Sequence, residues 1–182
     1  MAKTKALVQL VQAAMICALL IILGLFPGIP LGIIPVAVVL QNLGVMLAGE
    51  LLRPRYGVLA VGVFLLLVAL GLPLLSGGRG GLASFVGPTG GYLLAWLLAP
   101  AVNAWLLDLT QARQRRSWWL ELSVATFALV IVVDFVGAVF LAVQARMPLS
   151  AALLSNLAFL PGDLVKVVLA VTIARRLRRV LH

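Results

Sequence analysis

The sequence has few of the residue types on which most soluble enzymes depend. Only 10% of its 182 residues are charged, and it holds one cysteine, Cys17, and one histidine, His182. A single cysteine excludes an intramolecular disulfide, and a histidine at the terminus leaves no internal Ser–His or Cys–His pair. No group of His, Cys, Asp and Glu has the spacing of metal ligands. We therefore expect no enzyme activity, no catalytic residues, no metal and no cofactor.

Apolar residues are what the chain has in excess. Hydrophobic residues make up 64% of the sequence, and the mean hydropathy is +1.20. Soluble domains carry about 25% charged residues, and one core could not bury this much apolar surface. The net charge of +9 could suggest nucleic acid, but the basic residues form short clusters between long apolar runs. That pattern is typical of a protein embedded in a lipid bilayer, with no nucleic-acid partner.

Six apolar segments follow one another along the chain, separated by proline, glycine or arginine clusters. A transmembrane helix needs about 20 apolar residues, and each segment approaches or exceeds that length. We predict an all-α membrane protein, a single transmembrane domain over 1–182 built as a bundle of about six helices. The last helix is interrupted at Pro161-Gly162. The predicted helices are 6–26, 31–52, 56–75, 92–109, 118–143 and 150–174.

The basic residues predict the orientation of these helices. With the N-terminus inside, only Arg79 and Arg146 lie on outer loops, and Lys166 lies within a span. This asymmetry follows the positive-inside rule and predicts that both termini are cytoplasmic. The eleven inner residues are Lys3, Lys5, Arg53, Arg55, Arg113, Arg115, Arg116, Arg175, Arg176, Arg178 and Arg179.

Three charged residues lie inside predicted spans, where charge is costly: Asp134, Asp163 and Lys166. Such residues usually face a cavity or the bundle interior and often mark a functional site. The alternative is a structural ion pair. Asp163 and Lys166 are three residues apart, so they share one helix face. They also follow Pro161-Gly162, and a restarted helix presents free N–H groups to a ligand. We therefore favour a binding role for this pair.

A glycine-rich loop precedes the fourth helix. Residues 78–83 fit the pattern G-x-G-x-x-A, but a dinucleotide site needs a preceding strand and a soluble βαβ unit. The segment also lacks the Gly-Lys-Ser/Thr ending of an ATPase loop. By composition it is a flexible surface loop, although a loop so rich in glycine can fold closely over a ligand.

Small residues recur on the first helix, where Ala14 and Ala18 lie four positions apart. Such a pair lets helix backbones approach closely. Packing within the bundle is the simpler interpretation, and a docking face for another subunit is the second.

Several motifs together resemble one known family. Residues 39–49 resemble the stretch T-L-Q-T-L-x-V-L-L-A-G, and 54–57 resemble a G-P-R-x-G turn. The segments 77–81 and 87–92 resemble the family's most distinctive loop, and 159–166 resembles F-x-P-G-D-x-x-K. In this order they resemble the BioY family, the biotin-specific S-component of energy-coupling factor (ECF) transporters.

The sequence departs from the family pattern in two helices. Val39 and Asn42 stand where the family has threonine. In the fifth helix the family often shows Y-x-x-G-x-x-W, whereas Asp134, Gly137 and Phe140 occupy those positions here. Ligand contacts from these two helices are therefore expected to differ from those of relatives.

The resemblance implies a six-helix S-component fold that binds biotin near the outer face with high affinity. A carboxylate such as Asp163 can accept the two ureido N–H groups, and Lys166 can donate to a carbonyl or carboxylate. Gln41, Arg79 and Tyr92 complete the expected biotin site.

The resemblance also implies partners and a location. A transmembrane coupling protein and two ATPase subunits supply energy for biotin uptake, in the cytoplasmic (inner) membrane of a prokaryote. The face with Ala14 and Ala18 resembles the surface that other S-components present to the coupling protein.

Three alternatives remain at this stage. The chain could be an S-component for another small vitamin, which the loop and the Pro-Gly-Asp-x-x-Lys motif argue against. It could be a proton-coupled secondary carrier that uses Asp134 and Asp163 as a relay. An intramembrane enzyme is disfavoured because a nucleophile–base set is missing.

Overall fold

The structure is a computed structural model. Lys3 and Lys5 lack described side chains, and Arg113, Arg115 and Arg116 lie outside the described residues, so their predicted inner location stays a prediction. The structure describes residues 2–30, 32, 36–112, 114 and 117–180.

Apart from two short strands, the regular structure of the described residues is helical. The elements in chain order are α1 (Ala2–Gly24), β1 (Ile29–Pro30), β2 (Ala37–Val38), α2 (Gln41–Leu51), α3 (Pro54–Ala69), α4 (Ala83–Val86), α5 (Gly90–Leu109), α6 (Trp118–Thr126), a π-helical segment (Phe127–Ile131), α7 (Val132–Gln144), α8 (Leu149–Asn156) and α9 (Leu160–Val180).

Three described helices are long and apolar enough to cross a bilayer: Ala6–Gly24, Gly90–Leu109 and the continuous stretch Trp118–Gln144. A fourth crossing results if α8 and α9, bent by 52° at their junction, are taken together. Helices α2 and α3, in the regions of the second and third predicted spans, are shorter than those spans, with 11 and 16 residues.

The second predicted span, 31–52, is helical only from Gln41 onward. Before it, the short strand Ile29–Pro30 pairs antiparallel with Ala37–Val38. Proline has no N–H and disfavours helical backbone in the preceding residue, so Pro30 favours extended backbone at Ile29. The predicted start of the span relied on apolar composition, which does not distinguish this strand pair from a helix. Residues 31–35, where the span was predicted to start, lie largely outside the described residues.

The third predicted span, 56–75, ends as a helix at Ala69. Gly71 has a φ of +100°, a conformation that glycine adopts without steric cost, and Pro73 cannot continue the helix. Leu75 and Arg79 then exchange two main-chain hydrogen bonds of 2.9 and 3.2 Å. The glycine-rich loop is therefore a closed turn.

The break in the sixth predicted span, 150–174, lies earlier than expected. Residues 157–159 separate α8 from α9, and Pro161 lies in the first turn of α9. Proline is tolerated there because the first N–H groups of a helix have no partner within it. Asp163 and Lys166 are consequently in the first two turns of α9.

Helix α1 packs through one stripe only. Ala13, Ile16, Cys17 and Leu20 are buried and recur at the spacing of a single helix face. Met15 is 66% exposed, and other large apolar side chains of α1 are exposed as well, in keeping with a helix whose remaining surface faces lipid.

Candidate functional site

One polar cavity lies where α2, α5 and α9 begin. The free N–H groups and positive dipole ends of these three helices favour polar or anionic ligand groups. It is lined by Val36, Ala37, Val38, Val39, Gln41, Asn42, Leu75, Ser76, Arg79, Thr89, Tyr92, Leu93, Trp96, Asp134, Phe159, Asp163 and Lys166. All five predicted ligand-binding residues are thus on its wall.

Asp163 and Lys166 form an ion pair on α9, and both are buried, with 3% and 5% of their surface exposed. Lys166 Nζ also donates to the main-chain oxygen of Val39 over 3.0 Å. Asp163 Oδ1 accepts a hydrogen bond from Asn42 Nδ2 at 3.3 Å. Buried charges must be paired and hydrogen-bonded to persist, and this pair joins α9 to the start of α2.

Gln41 fastens three parts of the chain to one another. Its Nε2 donates to the main-chain oxygens of Leu20 and Leu74, each over 3.0 Å. Its Oε1 accepts from the main-chain N–H of Ser76, also at 3.0 Å. Both amide N–H groups are therefore used, and one lone pair of Oε1 remains for a ligand.

Tyr92 forms part of the wall through its ring. Its hydroxyl donates to Asn156 Oδ1 over 2.7 Å, and Asn156 Nδ2 donates to the main-chain oxygen of Asp134 over 2.7 Å. The ring of Phe159 meets that of Tyr92 edge to face, with centroids 6.1 Å apart. A single hydrogen-bonded chain thus ties α5 and α8 to α7.

Arg79 lies on the glycine-rich turn and is exposed at the edge of the cavity. Its Nε donates to the main-chain oxygen of Ser76 over 3.3 Å. The guanidinium therefore remains accessible to an anionic ligand group.

Two lining residues were not among the predicted ligand-binding residues: Asn42, noted as a departure from a family pattern, and Asp134, noted also as a costly charge within a span. Asn42 Oδ1 is buried and has no hydrogen-bond partner in the structure, and the carboxylate of Asp134 also faces the cavity. Trp96 and Phe159 supply apolar wall. Phe159 is the first residue of the F-x-P-G-D-x-x-K motif, whereas Trp96 carried no signal beyond its place in an apolar segment. Among the described residues, no three His, Cys, Asp or Glu side chains gather as metal ligands.

A second polar cluster was missed in the sequence. Arg178 and Arg175 pair with Glu121 at 2.5 and 3.2 Å, and Asn103 Nδ2 donates to Glu50 Oε1 at 3.0 Å. Glu50 and Glu121 lie near the ends of apolar segments, and sequence proximity does not indicate that they meet. The cluster joins α2, α5, α6 and α9 away from the cavity.

Ala14 and Ala18 are not part of the cavity. Both are exposed on α1, in an apolar groove between α1 and α3 that Leu10, Leu59 and Val63 also line. The small side chains leave this groove open along the surface of the bundle.

Comparisons with known proteins agree with this architecture. A family model described as the BioY family matches residues 1–182. The biotin transporter BioY of Lactococcus lactis subsp. cremoris is 49% identical over 170 residues, covering 93% of this chain and 90% of the relative. The biotin transporter BioY of Rhizobium etli is 40% identical over 170 residues, covering 92% and 91%.

A solved structure has the same fold. The crystal structure of the S-component for biotin from an ECF-type ABC transporter superposes with a TM-score of 0.95 at 47% identity, covering 98% of this chain and 95% of that one. The predicted all-α membrane architecture of the S-component type is confirmed. With the family match over its whole length, the chain belongs to the BioY family.

Proposed function

We propose that the chain binds biotin with high affinity and serves as the substrate-binding S-component of an ECF transporter. The observation that carries the proposal is the cavity at the start of α2, α5 and α9, on which Asp163, Lys166, Gln41, Arg79 and Tyr92 converge. The relatives named biotin transporters and the superposition on a biotin S-component support the same ligand.

The chemistry of the cavity suits the chemistry of biotin. The ureido ring offers two N–H donors and one carbonyl, and Asp163, Asn42 and Lys166 offer acceptors and a donor on one side of the wall. Trp96 and Phe159 provide apolar surface for the thiolane ring, and Arg79 provides a cation for the valerate carboxylate. Nanomolar binding corresponds to about −12 kcal/mol, or about −0.8 kcal/mol for each of roughly sixteen heavy atoms, within the range of small enclosed ligands.

We also expect part of the wall to adjust as biotin enters. The cavity is small, with a volume of about 50 Å³. The glycine-rich turn is the segment best suited to adjust, because Gly77 and Gly78 lack the Cβ that restricts the backbone of other residues.

The proposed partners are a transmembrane coupling protein and two ATPase subunits. The open groove beside Ala14 and Ala18 supports a docking face, because small residues let another helix approach closely. We further propose a multi-pass location in the cytoplasmic membrane of a prokaryote with both termini inside. Arg53 and Arg55 lie at the start of α3, whereas Arg79 follows its end, which supports this orientation.

The experiment that tests the function is calorimetric titration of the purified, detergent-solubilised chain with biotin. We expect one site that binds biotin with nanomolar affinity. We expect no measurable binding when another small vitamin is titrated in place of biotin. Absence of binding in folded protein would reject the proposal. Uptake by the chain alone in vesicles, abolished by collapse of the proton gradient, would instead favour a carrier that uses Asp134 and Asp163.

A further inference from the structure

Asp134 differs from the other carboxylate of the cavity in having no partner. Asp163 pairs with Lys166 and accepts a hydrogen bond from Asn42. Among the described residues, none donates a hydrogen bond to the Asp134 carboxylate or pairs with it, and the hydrogen bond from Asn156 goes to its main-chain oxygen. The wall therefore carries one carboxylate that is held in an ion pair and one whose oxygens are available to a ligand.

The backbone around Asp134 is held in a defined position. The π-helical segment Phe127–Ile131 ends just before α7, and one extra residue per turn offsets the helix faces beyond it by roughly 100°. Asn156 holds the main-chain oxygen of Asp134. A Cβ on Gly137 would collide with the ring of Tyr92, so glycine at this position lets α7 approach α5 closely. These three features fix the residue that faces the cavity.

The remaining polar groups of the cavity leave a surplus of acceptors. Asn42 Oδ1 is buried without a partner, and an acceptor closed off from water costs free energy until a donor reaches it. Arg79, the basic residue on the wall besides Lys166, is exposed and donates to the main-chain oxygen of Ser76. A ligand ring rich in N–H donors, and above all a cationic one, would satisfy this surplus.

We propose that Asp134 is a specificity-determining residue that lets this cavity accept a cyclic guanidinium in place of the neutral cyclic urea of biotin. The inference rests on the proposed function and extends its ligand class. A guanidinium keeps its charge at neutral pH and forms charge-assisted, bidentate hydrogen bonds with a carboxylate. A neutral urea gains no such charge attraction from Asp134.

The test compares two ligands on the purified chain at neutral pH. The ligands are biotin and its cyclic guanidine analogue 2-iminobiotin, and the readout is the ratio of their dissociation constants. Asp134→Asn removes the charge with little change of shape. Asp108→Asn removes one negative charge from α5 outside the cavity lining and serves as the matched control.

We expect Asp134→Asn to shift the ratio against 2-iminobiotin by about tenfold or more, the usual effect of losing a charge-assisted hydrogen bond, while Asp108→Asn leaves it unchanged. A shift of less than threefold in Asp134→Asn would overturn the inference. If that variant does not fold, Asp134→Ser, whose smaller side chain fits the same space, is judged by the same criterion. Failure of the wild-type chain to bind biotin rejects the proposed function, whereas biotin binding with an unchanged ratio rejects only this inference.

Discussion

Arg178 places its Nη2 atom 2.5 Å from Oε2 of Glu121, although the two residues lie on different helices, α9 and α6. The same guanidinium is 3.8 Å from Glu50 of α2, and Arg175 adds a 3.2 Å contact to Glu121. Glu50 and Glu121 are almost fully buried, so the cluster satisfies charges that would otherwise be costly in the interior. Together with Asn103 of α5, which donates to Glu50, it links four helices at a site separate from the polar cavity.

We predict that Glu121→Gln destabilises the folded chain by roughly 2 kcal/mol or more, because it removes the buried carboxylate that both Arg175 and Arg178 contact. The measurement is the thermal unfolding midpoint in detergent. Arg179→Gln, which removes an exposed arginine of the same helix, is the control and should leave the midpoint within a degree or two. Equal midpoints for both variants would contradict a stabilising role of the cluster.

Asp163→Asn and Lys166→Met should each weaken biotin binding while the protein stays folded. Either change removes a charge-assisted hydrogen bond in an enclosed site, at a cost of about 1.5–3 kcal/mol, or roughly tenfold to hundredfold in affinity. Titration of monodisperse protein measures the effect. Near-wild-type affinity in both variants would make the pair structural and leave Gln41, Arg79 and Tyr92 to hold the ligand.

Ala14→Trp should block assembly with the coupling protein and abolish uptake, because the indole fills the groove between α1 and α3. Biotin affinity should not change, since Ala14 lies outside the cavity lining. Leu98→Trp adds an indole to an exposed position of α5 and is the control. Undisturbed co-purification of the Ala14 variant with the coupling protein would exclude this face as the interface.

Gly137→Ala should lower both stability and biotin affinity. The added methyl group collides with the Tyr92 ring, and overpacking of this kind costs about 1–3 kcal/mol. Gly62→Ala is a matched control in a helix, where the nearest atom to the new Cβ is Leu97 Cδ1 at 3.4 Å. Alanine has the higher helix propensity at both positions, so a loss confined to Gly137→Ala isolates the collision. The measurements are thermal unfolding and biotin titration of both variants. Equal unfolding midpoints and affinities for the two variants would contradict the prediction.

The proposed topology, with both termini inside, predicts that two exposed positions are accessible to reagents from opposite sides of the membrane. In a Cys17→Ala background, a cysteine at Leu82, beside the glycine-rich turn, should react with a membrane-impermeant maleimide added to whole cells or spheroplasts. A cysteine at Gln114, after α5, should react only once the membrane is opened. Labelling of both from one side would reject the proposed topology.

Contacts within one helix of the site could be predicted from the sequence, whereas contacts between helices could not. Asp163 and Lys166 are three residues apart on one helix, so local geometry was enough to predict that they share a face, and they pair in the structure. Gln41 shows the opposite case. Its amide bonds Leu20, Leu74 and Ser76, which are 21 to 35 residues distant, and no local pattern could indicate those partners.

Composition and local pattern by themselves determined that the chain is a helical membrane protein, because apolar runs divided by proline, glycine and arginine have one stable arrangement in lipid: hydrogen-bonded helices. They also determined which charges are costly enough to require a role. The tertiary structure alone decided that α2 begins at Gln41, that Lys166 reaches Val39 across 127 residues, and that Asp134 lies on the wall of the same cavity. The reason is physical: periodicity describes neighbours along one helix, whereas contacts between helices depend on how all of them pack together.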